Sequence, residues 1–437
     1  MRKLTPLFTV LLIAAMLLSF ANAPASAQGS PMEIRMLWYS DGPEGQVMRD
    51  LLDRFEAENA DIRVVIDEIA FRDLHNVLET SIAGNAQPDI ARVTELGRFQ
   101  GRYMDMTPYL SDPEGWAAGF PAAALDWLRI PGGEDTGLYG FPSQFTVSGP
   151  FINVTLFEQA GVEIPTGDTT LAEWVDLATQ VAQATETPWA VAIDRSGHRA
   201  YGPMMSMGAT LLDPTTGRFT IDSPGFREFA EMMIAWHTDG LTPPEVWAGA
   251  GGGQYVAARD YFVRGELVFY FAGSWMVGAF ANEITEFEWR VVPQPCGPAA
   301  CTGMPGGAAI VAIQPPQMDE ARARAVTRVM EYMSSPDVYR EFSERTLFLP
   351  GRIDLGELNF PSNSEALNTF AAMIPQLTDQ AYWLQGHPIQ PVVNVEIRDQ
   401  LGRVVAGEIS LDEAIERIQA RADEACDAEP QKCVPIL

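Results

Sequence analysis

Lysine is almost missing from this chain. Lys3 and Lys432 are the only lysines among 29 basic residues, so nearly every cation is an arginine, and 58 acidic residues leave a formal charge of −29. A surface of that sign repels phosphate backbones, which argues against nucleic acid as a partner. Histidine is scarce as well. His75, His198, His237 and His387 are scattered, none at metal-ligand spacing from another histidine or a cysteine, so neither a metal site nor a cofactor is expected. There is no G-x-S-x-G and no H-E-x-x-H, which removes two hydrolytic signatures. The stretch AGAGGGQ at 248–254 lacks the Gly-Lys-Ser/Thr of a phosphate cradle and reads as a loop. Internal repeats and low-complexity linkers are absent too, which leaves compact domains rather than a solenoid.

What is present begins with an export segment. Arg2 and Lys3 precede an apolar run at 7–20 that is too short to span a bilayer comfortably, and Ala25-Ser26-Ala27 forms a cleavage site. The expectation is a signal peptide at 1–27 and release into the periplasm. No cysteine precedes Cys296, so no lipid anchor is expected. The four cysteines form two close pairs, Cys296 with Cys301 and Cys426 with Cys433. In an exported chain such pairs predict local disulfides, each worth about 2 kcal/mol by loop closure. With 47% hydrophobic residues the chain is not disordered, and the length left after cleavage suffices for two cored domains.

Strands and helices alternate from the start. Residues 34–38 read as a strand, and Met48, Leu51, Leu52 and Phe55 then follow at helical spacing. A strand at 62–66 precedes a helix carrying Phe71, Leu74, Leu78 and Ile82, and 88–93 is a third strand. This order predicts an α/β fold with a parallel, helix-covered sheet whose ligands bind beyond the carboxyl ends of the strands. Tyr39, Ser40, Asp41, Thr94 and Glu95 occupy those ends. Trp38 and Tyr39 offer aromatic faces. Glu95 is either a hydroxyl acceptor or a first-turn carboxylate favoured by a helix dipole.

The stretch 138–165, LYGFPSQFTVSGPFINVTLFEQAGVEIP, joins a turn, the polar residues Ser143, Gln144, Phe145 and Thr146, a buried strand, and a short helix stopped at Gly161. Thr170 and Glu173 then have capping-box spacing ahead of Leu171, Trp174, Ala178 and Val181. Downstream come GELVFYFAGSW at 265–275 and MPGGAAIVAI at 304–313. In this order the three stretches resemble the sugar-type extracellular solute-binding proteins of ABC importers, the maltodextrin-binding-protein-like group. The resemblance implies a two-lobed periplasmic binding protein type II fold, with discontinuous domains joined by a hinge and a ligand between the lobes. It implies that Gly273, Ser274 and Trp275 reach the cleft, that Gly306 and Gly307 approach the ligand, and that Leu349 to Arg352 resembles a crossing segment whose Arg352 meets a hydroxyl or an anion or pairs with a surface carboxylate.

The remaining expectations follow. Residues 198–207 read as a Gly-, Tyr- and Met-rich loop facing the cleft through Tyr201, and Trp383, beside Tyr382, is a further aromatic candidate. Crossings near 143–150, 290–296 and 350–355 divide the chain into 28–145 with 296–350, and 146–295 with 351–437. Gly140, Gly149 and Gly351 are the expected pivots. The function expected is capture of a sugar or similar polyhydroxylated solute by a monomer and its delivery to permease subunits, without catalysis. The alternatives are a glycoside-processing enzyme with paired carboxylates, and a ligand-sensing partner of a membrane receptor.

Overall fold

The computed structural model describes residues 30–131, 134–247 and 258–436. The expected signal peptide and the glycine-rich stretch 248–254 lie outside them. Two sheets organise two lobes. In the first, the strands run in the order Ile62–Glu68, Met32–Trp38, Ile90–Val93, Ala309–Ala312, Gly140–Pro142. The first three are parallel, and Ala309–Ala312 lies antiparallel to both of its neighbours. Side-chain alternation splits this core in two. Ile34, Met36 and Trp38 enter one cluster, while Leu37, Tyr39, Ala91 and Val93 enter the other. The second sheet has the order Trp289–Val291, Pro150–Asn153, Leu267–Phe271, Trp189–Ile193 and carries its own core. Between the sheets Thr146–Val147, in the first crossing, pairs antiparallel with Pro305–Gly306 as a two-strand crossing ribbon.

Local signals explain much of this. The Asn153 side chain accepts from the Leu156 amide, and the helix it caps ends at Gly161 in the left-handed conformation, φ 66°. The Thr170 to Glu173 capping box is complete, and helix Leu171–Thr185 buries Trp174, Ala178 and Val181. Both disulfides form, Cys296–Cys301 and Cys426–Cys433.

Three expectations need correction. Residues 198–207 are not a loop but most of the helix Gly197–Ser206, where Tyr201 is fully buried and Pro203 is tolerated near the C-terminal end. The chain also leaves the second lobe later than Cys296. The Cys296–Cys301 ring packs on the carbonyl of Ser206, and Met304 still belongs to the second core. The return at 351 is late as well, because Arg352 forks onto Asp354, Ile353 N–H donates to Gly119 O, and Leu355 enters the first core. The crossing glycines also allow close approach. A Cβ at Gly140 would stand 2.2 Å from Ile310 O, and one at Gly351 2.8 Å from the Pro142 ring.

Candidate functional site

The lobes touch where the first sheet's strand ends meet the second lobe. A Cβ at Gly42 would stand 3.4 Å from Ala279 N, and one at Gly97 2.7 Å from Pro388 Cα. On the first-lobe side the strand Met32–Trp38 ends over a buried ion pair. Arg92 and Glu44 are both fully buried and 2.9 Å apart. Glu44 also accepts the N–H groups of Asp41 at 2.5 Å and Gly42 at 2.8 Å. The Arg92 guanidinium lies 5.0 Å from the Trp38 ring centroid and 4.2 Å from that of Tyr39, and it donates to Tyr39 O. The two rings are therefore enclosed in the first lobe, each in its own cluster.

Asp41 looks outward. It is half-buried, and burial pushes its carboxyl up to about 6, with Glu44 adding to the rise and Arg92, Arg199 and Arg259 opposing it. The last two cations belong to the second lobe, so this carboxylate feels charge from both sides. Ser40 sits beside it and accepts from Trp38 Nε1 at 3.2 Å. Glu95 pairs with Arg98 at 2.7 Å, and its other oxygen lies 3.5 Å from His75 Nδ1. His75 Nε2 accepts from the Thr94 and Glu95 amides, so its proton is on Nδ1, facing Glu95, while burial holds the ring neutral.

On the second-lobe side the turn after Leu267–Phe271 is tied to the crossing ribbon. Ser274 N–H donates to Val147 O at 2.9 Å, and Val147 N–H donates to Ser274 Oγ at 3.2 Å. Gly273 has no room for a side chain, since the Trp275 ring stands 2.1 Å from where its Cβ would be. Trp275 is half-buried under Arg199, whose guanidinium lies 4.9 Å from the ring centroid. Arg199 in turn pairs at 3.0 Å with Asp194, a buried carboxylate that also accepts from Tyr270 OH and Ala258 N.

The ribbon brings Gln144, Phe145 and Thr146 to the same junction. Phe145 packs against cores of both lobes. Gly307, at φ 139°, passes 2.2 Å from Gln144 O at its Cβ position, and Gly306 does the same to Thr146 Oγ1 at 3.1 Å and His198 Nε2 at 3.5 Å. His198 is bonded to Gln385 at 3.1 Å. Trp383 packs half-buried on the second core, whereas its neighbour Tyr382 touches cores of both lobes. Arg352 is not at the junction. It is held by Asp354, Ser334 O and the Phe120 ring inside the first lobe.

Sequence reading missed Glu44, Arg92, Asp194 and Arg199, whose partners are remote in sequence. A cavity of about 680 Å³ lies elsewhere, between Arg98, Arg102, Ile130 and the C-terminal loop with Lys432, and none of the expected ligand residues lines it. Asp168 stands within ligand distance of Cys296 and Cys301, but those sulfurs are bonded to each other and offer no thiolate. No helix among the described residues is long and apolar enough to cross a membrane.

Comparison with known proteins bears on this geometry. Residues 50–369 match the model of a family described as bacterial extracellular solute-binding protein. A binding protein of Brucella abortus is 22% identical over 380 residues, covering 82% of this chain and 85% of that one. An ABC substrate-binding protein from Listeria monocytogenes, solved with cycloalternan, superposes with a TM-score of 0.76 at 19% identity, covering 91% and 99% of the two chains. A maltose/maltodextrin-binding domain from Bdellovibrio bacteriovorus, bound to maltotriose, gives 0.74 at 16% identity and covers 91% and 100%. At these identities the likeness establishes the fold.

Proposed function

The chain belongs to the bacterial extracellular solute-binding proteins, and from that premise we propose that it captures a sugar or similar polyhydroxylated solute between its lobes and delivers it to the permease of an ABC importer. One observation carries the reading: the loop after Met32–Trp38 meets the second lobe, a Cβ at Gly42 standing 3.4 Å from Ala279 N, and Asp41 there lies in the field of Arg259 and of Arg199, which sits over Trp275. Aromatic faces for the C–H side of a ring and fixed polar groups for hydroxyls are what such a solute requires. The saccharides bound by the Listeria and Bdellovibrio proteins support the solute class.

In this reading Trp275, Asp41, Ser40, Glu95, Gln144, Thr146 and Tyr201 contact solute, while Trp38 and Tyr39 hold the first lobe's edge in shape. The protein works as a monomer in the periplasm, exported by its first 27 residues without a lipid anchor. It performs no catalysis. The two fully buried carboxylates of the junction hold structure, Glu44 through Arg92 and Asp194 through Arg199 and Tyr270. Solute completes contacts to both lobes at once and so favours the closed arrangement.

A thermal-shift screen over sugars and polyols tests the reading. Ligand at 100 times its Kd stabilises by about 2.7 kcal/mol, a rise of several degrees. Trp275→Ala should cost roughly 1–3 kcal/mol of affinity through lost apolar burial, with the fold intact. A panel that leaves the midpoint unmoved, with chromogenic glycosides being cleaved, would overturn it.

A further inference from the structure

Within the solute-capture reading, on which this rests, we infer that the solute is uncharged and that its hydroxyls are read by an amide cluster, Gln144, Gln385, Gln390 and Asn394, together with His198 and Tyr201. Three of the four amides are almost fully buried: Gln144 at 3%, Gln390 at 4% and Gln385 at 5% exposure. Yet Gln144 Oε1, Gln390 Nε2, Asn394 Oδ1 and the Tyr201 hydroxyl have no hydrogen-bond partner among the described residues. Buried polar atoms are nearly always paired, because leaving one unpaired forfeits its hydration with no return.

These orphans are neighbours through the fold. Helix Gly197–Ser206 meets helix Gln390–Val405 where a Cβ at Gly197 would stand 2.5 Å from Asn394 O. Gln390 and Asn394 are one turn apart, on the same face of their helix. His198 and Tyr201 lie within about a turn of Gly197, His198 reaches Gln385 at 3.1 Å, and a Cβ at Gly306 of the crossing ribbon would stand 3.5 Å from His198 Nε2. At the next residue, a Cβ at Gly307 would stand 2.2 Å from the backbone carbonyl of Gln144. Two lone amide oxygens, one amide N–H group and a phenol match hydroxyls, each of which donates and accepts.

The cluster carries no charge, and the nearby cations are committed. Burial and the adjacent Arg199 drive His198 down to about 4, so the ring is neutral at working pH. Arg199 is held by Asp194, Arg259 by Glu283 at 2.6 Å and Arg398 by Asp399 at 2.8 Å. Arg92 is enclosed by Glu44 and three aromatic rings. Arg195 pairs with Asp399 at 3.7 Å, so among the described residues an anionic solute would find each of these cations already paired with a carboxylate. A neutral saccharide would find its hydroxyl partners waiting.

Isothermal titration of the mature protein with maltose, maltotriose and mannotriose, beside glucuronate, galacturonate and glucose 6-phosphate, tests this. A neutral saccharide should bind at least about tenfold more tightly than every charged probe. Gln390→Ala and Asn394→Ala should each weaken that binding about tenfold, since a ligand hydroxyl loses its partner. They should leave the free protein's melting temperature equal or higher, because an orphan atom has been removed. The isosteric Gln390→Glu, which keeps the volume but loses the N–H donors, should weaken binding as well. Tighter binding of a uronate or phosphate would overturn the neutral class while leaving solute capture standing. Variants that lower the melting temperature with affinity unchanged would overturn the cluster's role. Silence from every probe would instead bring down the capture reading beneath it.

Discussion

The two lobes present different chemistry to one another. The first lobe's edge is built on a buried ion pair: Glu44 takes Arg92 and two backbone amides, and Arg92 is sandwiched among Trp38, Tyr39 and Phe348, its Nε and Nη2 without a hydrogen-bond partner among the described residues. The second lobe's edge keeps capacity in reserve. Tyr201, Gln390 and Asn394 hold polar atoms with no partner, and Trp275 is only half-covered. The first wall is held rigid by an enclosed ion pair, whereas the second presents neutral groups with hydrogen bonds still to make.

That contrast is broken most severely by removing a charge from the rigid wall. Arg92→Met leaves Glu44 fully buried without a counter-ion, and such a loss costs about 3–5 kcal/mol. Urea unfolding should show it as a large drop in midpoint. Arg92→Met with Glu44→Gln should recover much of the loss, because the stranded charge is gone. In the second lobe Arg199→Met should cost less stability, since the Arg199 side chain is 14% exposed against 0% for Arg92 and water can reach the carboxylate it leaves behind. Equal losses at both sites would erase the distinction between the walls.

The same contrast marks what the sequence could disclose. Strand ends, the Asn153 and Thr170 caps, Gly161 and the disulfide pairs were legible because their causes are local in the chain. So was the Gly273 to Trp275 turn, through its resemblance to a known family. Helix Gly197–Ser206 was not, because Gly197, Gly202 and Pro203 lower its propensity while tertiary contact demands them. A Cβ at Gly197 would strike Asn394, and one at Gly202 would lie 2.9 Å from Gly303 Cα. Helix Gln390–Val405 did carry a signal, Pro391 at its start with Val393, Ile397 and Leu401 on one face. Arg92 and Glu44 lie 48 positions apart, and no periodicity pairs them. For Arg352 the carboxylate alternative holds, its partner Asp354 being only two residues away.

Acid should separate the walls more gently. His387 donates from Nε2 to Gly217 O and accepts the Ile389 N–H at Nδ1, and burial lowers it to about 4. An unfolded histidine titrates near 6.5. As pH falls from about 6.5 to 4 the unfolded chain binds a proton that the native site refuses, so the stability this ring contributes at neutral pH is lost. Asp41 has the opposite sign. Its carboxyl, raised to about 6, takes a proton in the native state before the unfolded chain does, which favours the fold as pH falls from about 6 to 4. His387→Gln should therefore flatten the decline of melting temperature between pH 6.5 and 4.5, and Asp41→Asn should steepen it. Parallel pH profiles for the two variants would contradict the assignment.

The smallest expected effect falls on the contact between the walls. Gly97 follows the strand Ile90–Val93 of the first lobe and meets the backbone of the second, where a Cβ would be 2.7 Å from Pro388 Cα and 3.2 Å from His387 O. Both obstacles are main-chain atoms, so no rotamer change relieves them, and Gly97→Ala must part the lobes slightly at this point. Each lobe keeps its own core, so unfolding should be nearly unaffected. If this contact belongs to the solute-holding arrangement, the closed state is disfavoured and apparent affinity falls by a factor of about three to ten. Small-angle scattering of the saturated variant should then show less shrinkage than the unaltered protein on adding solute. Unchanged affinity together with full shrinkage would mean that the lobes close about some other contact, and that Gly97 keeps only the free protein's lobes in register.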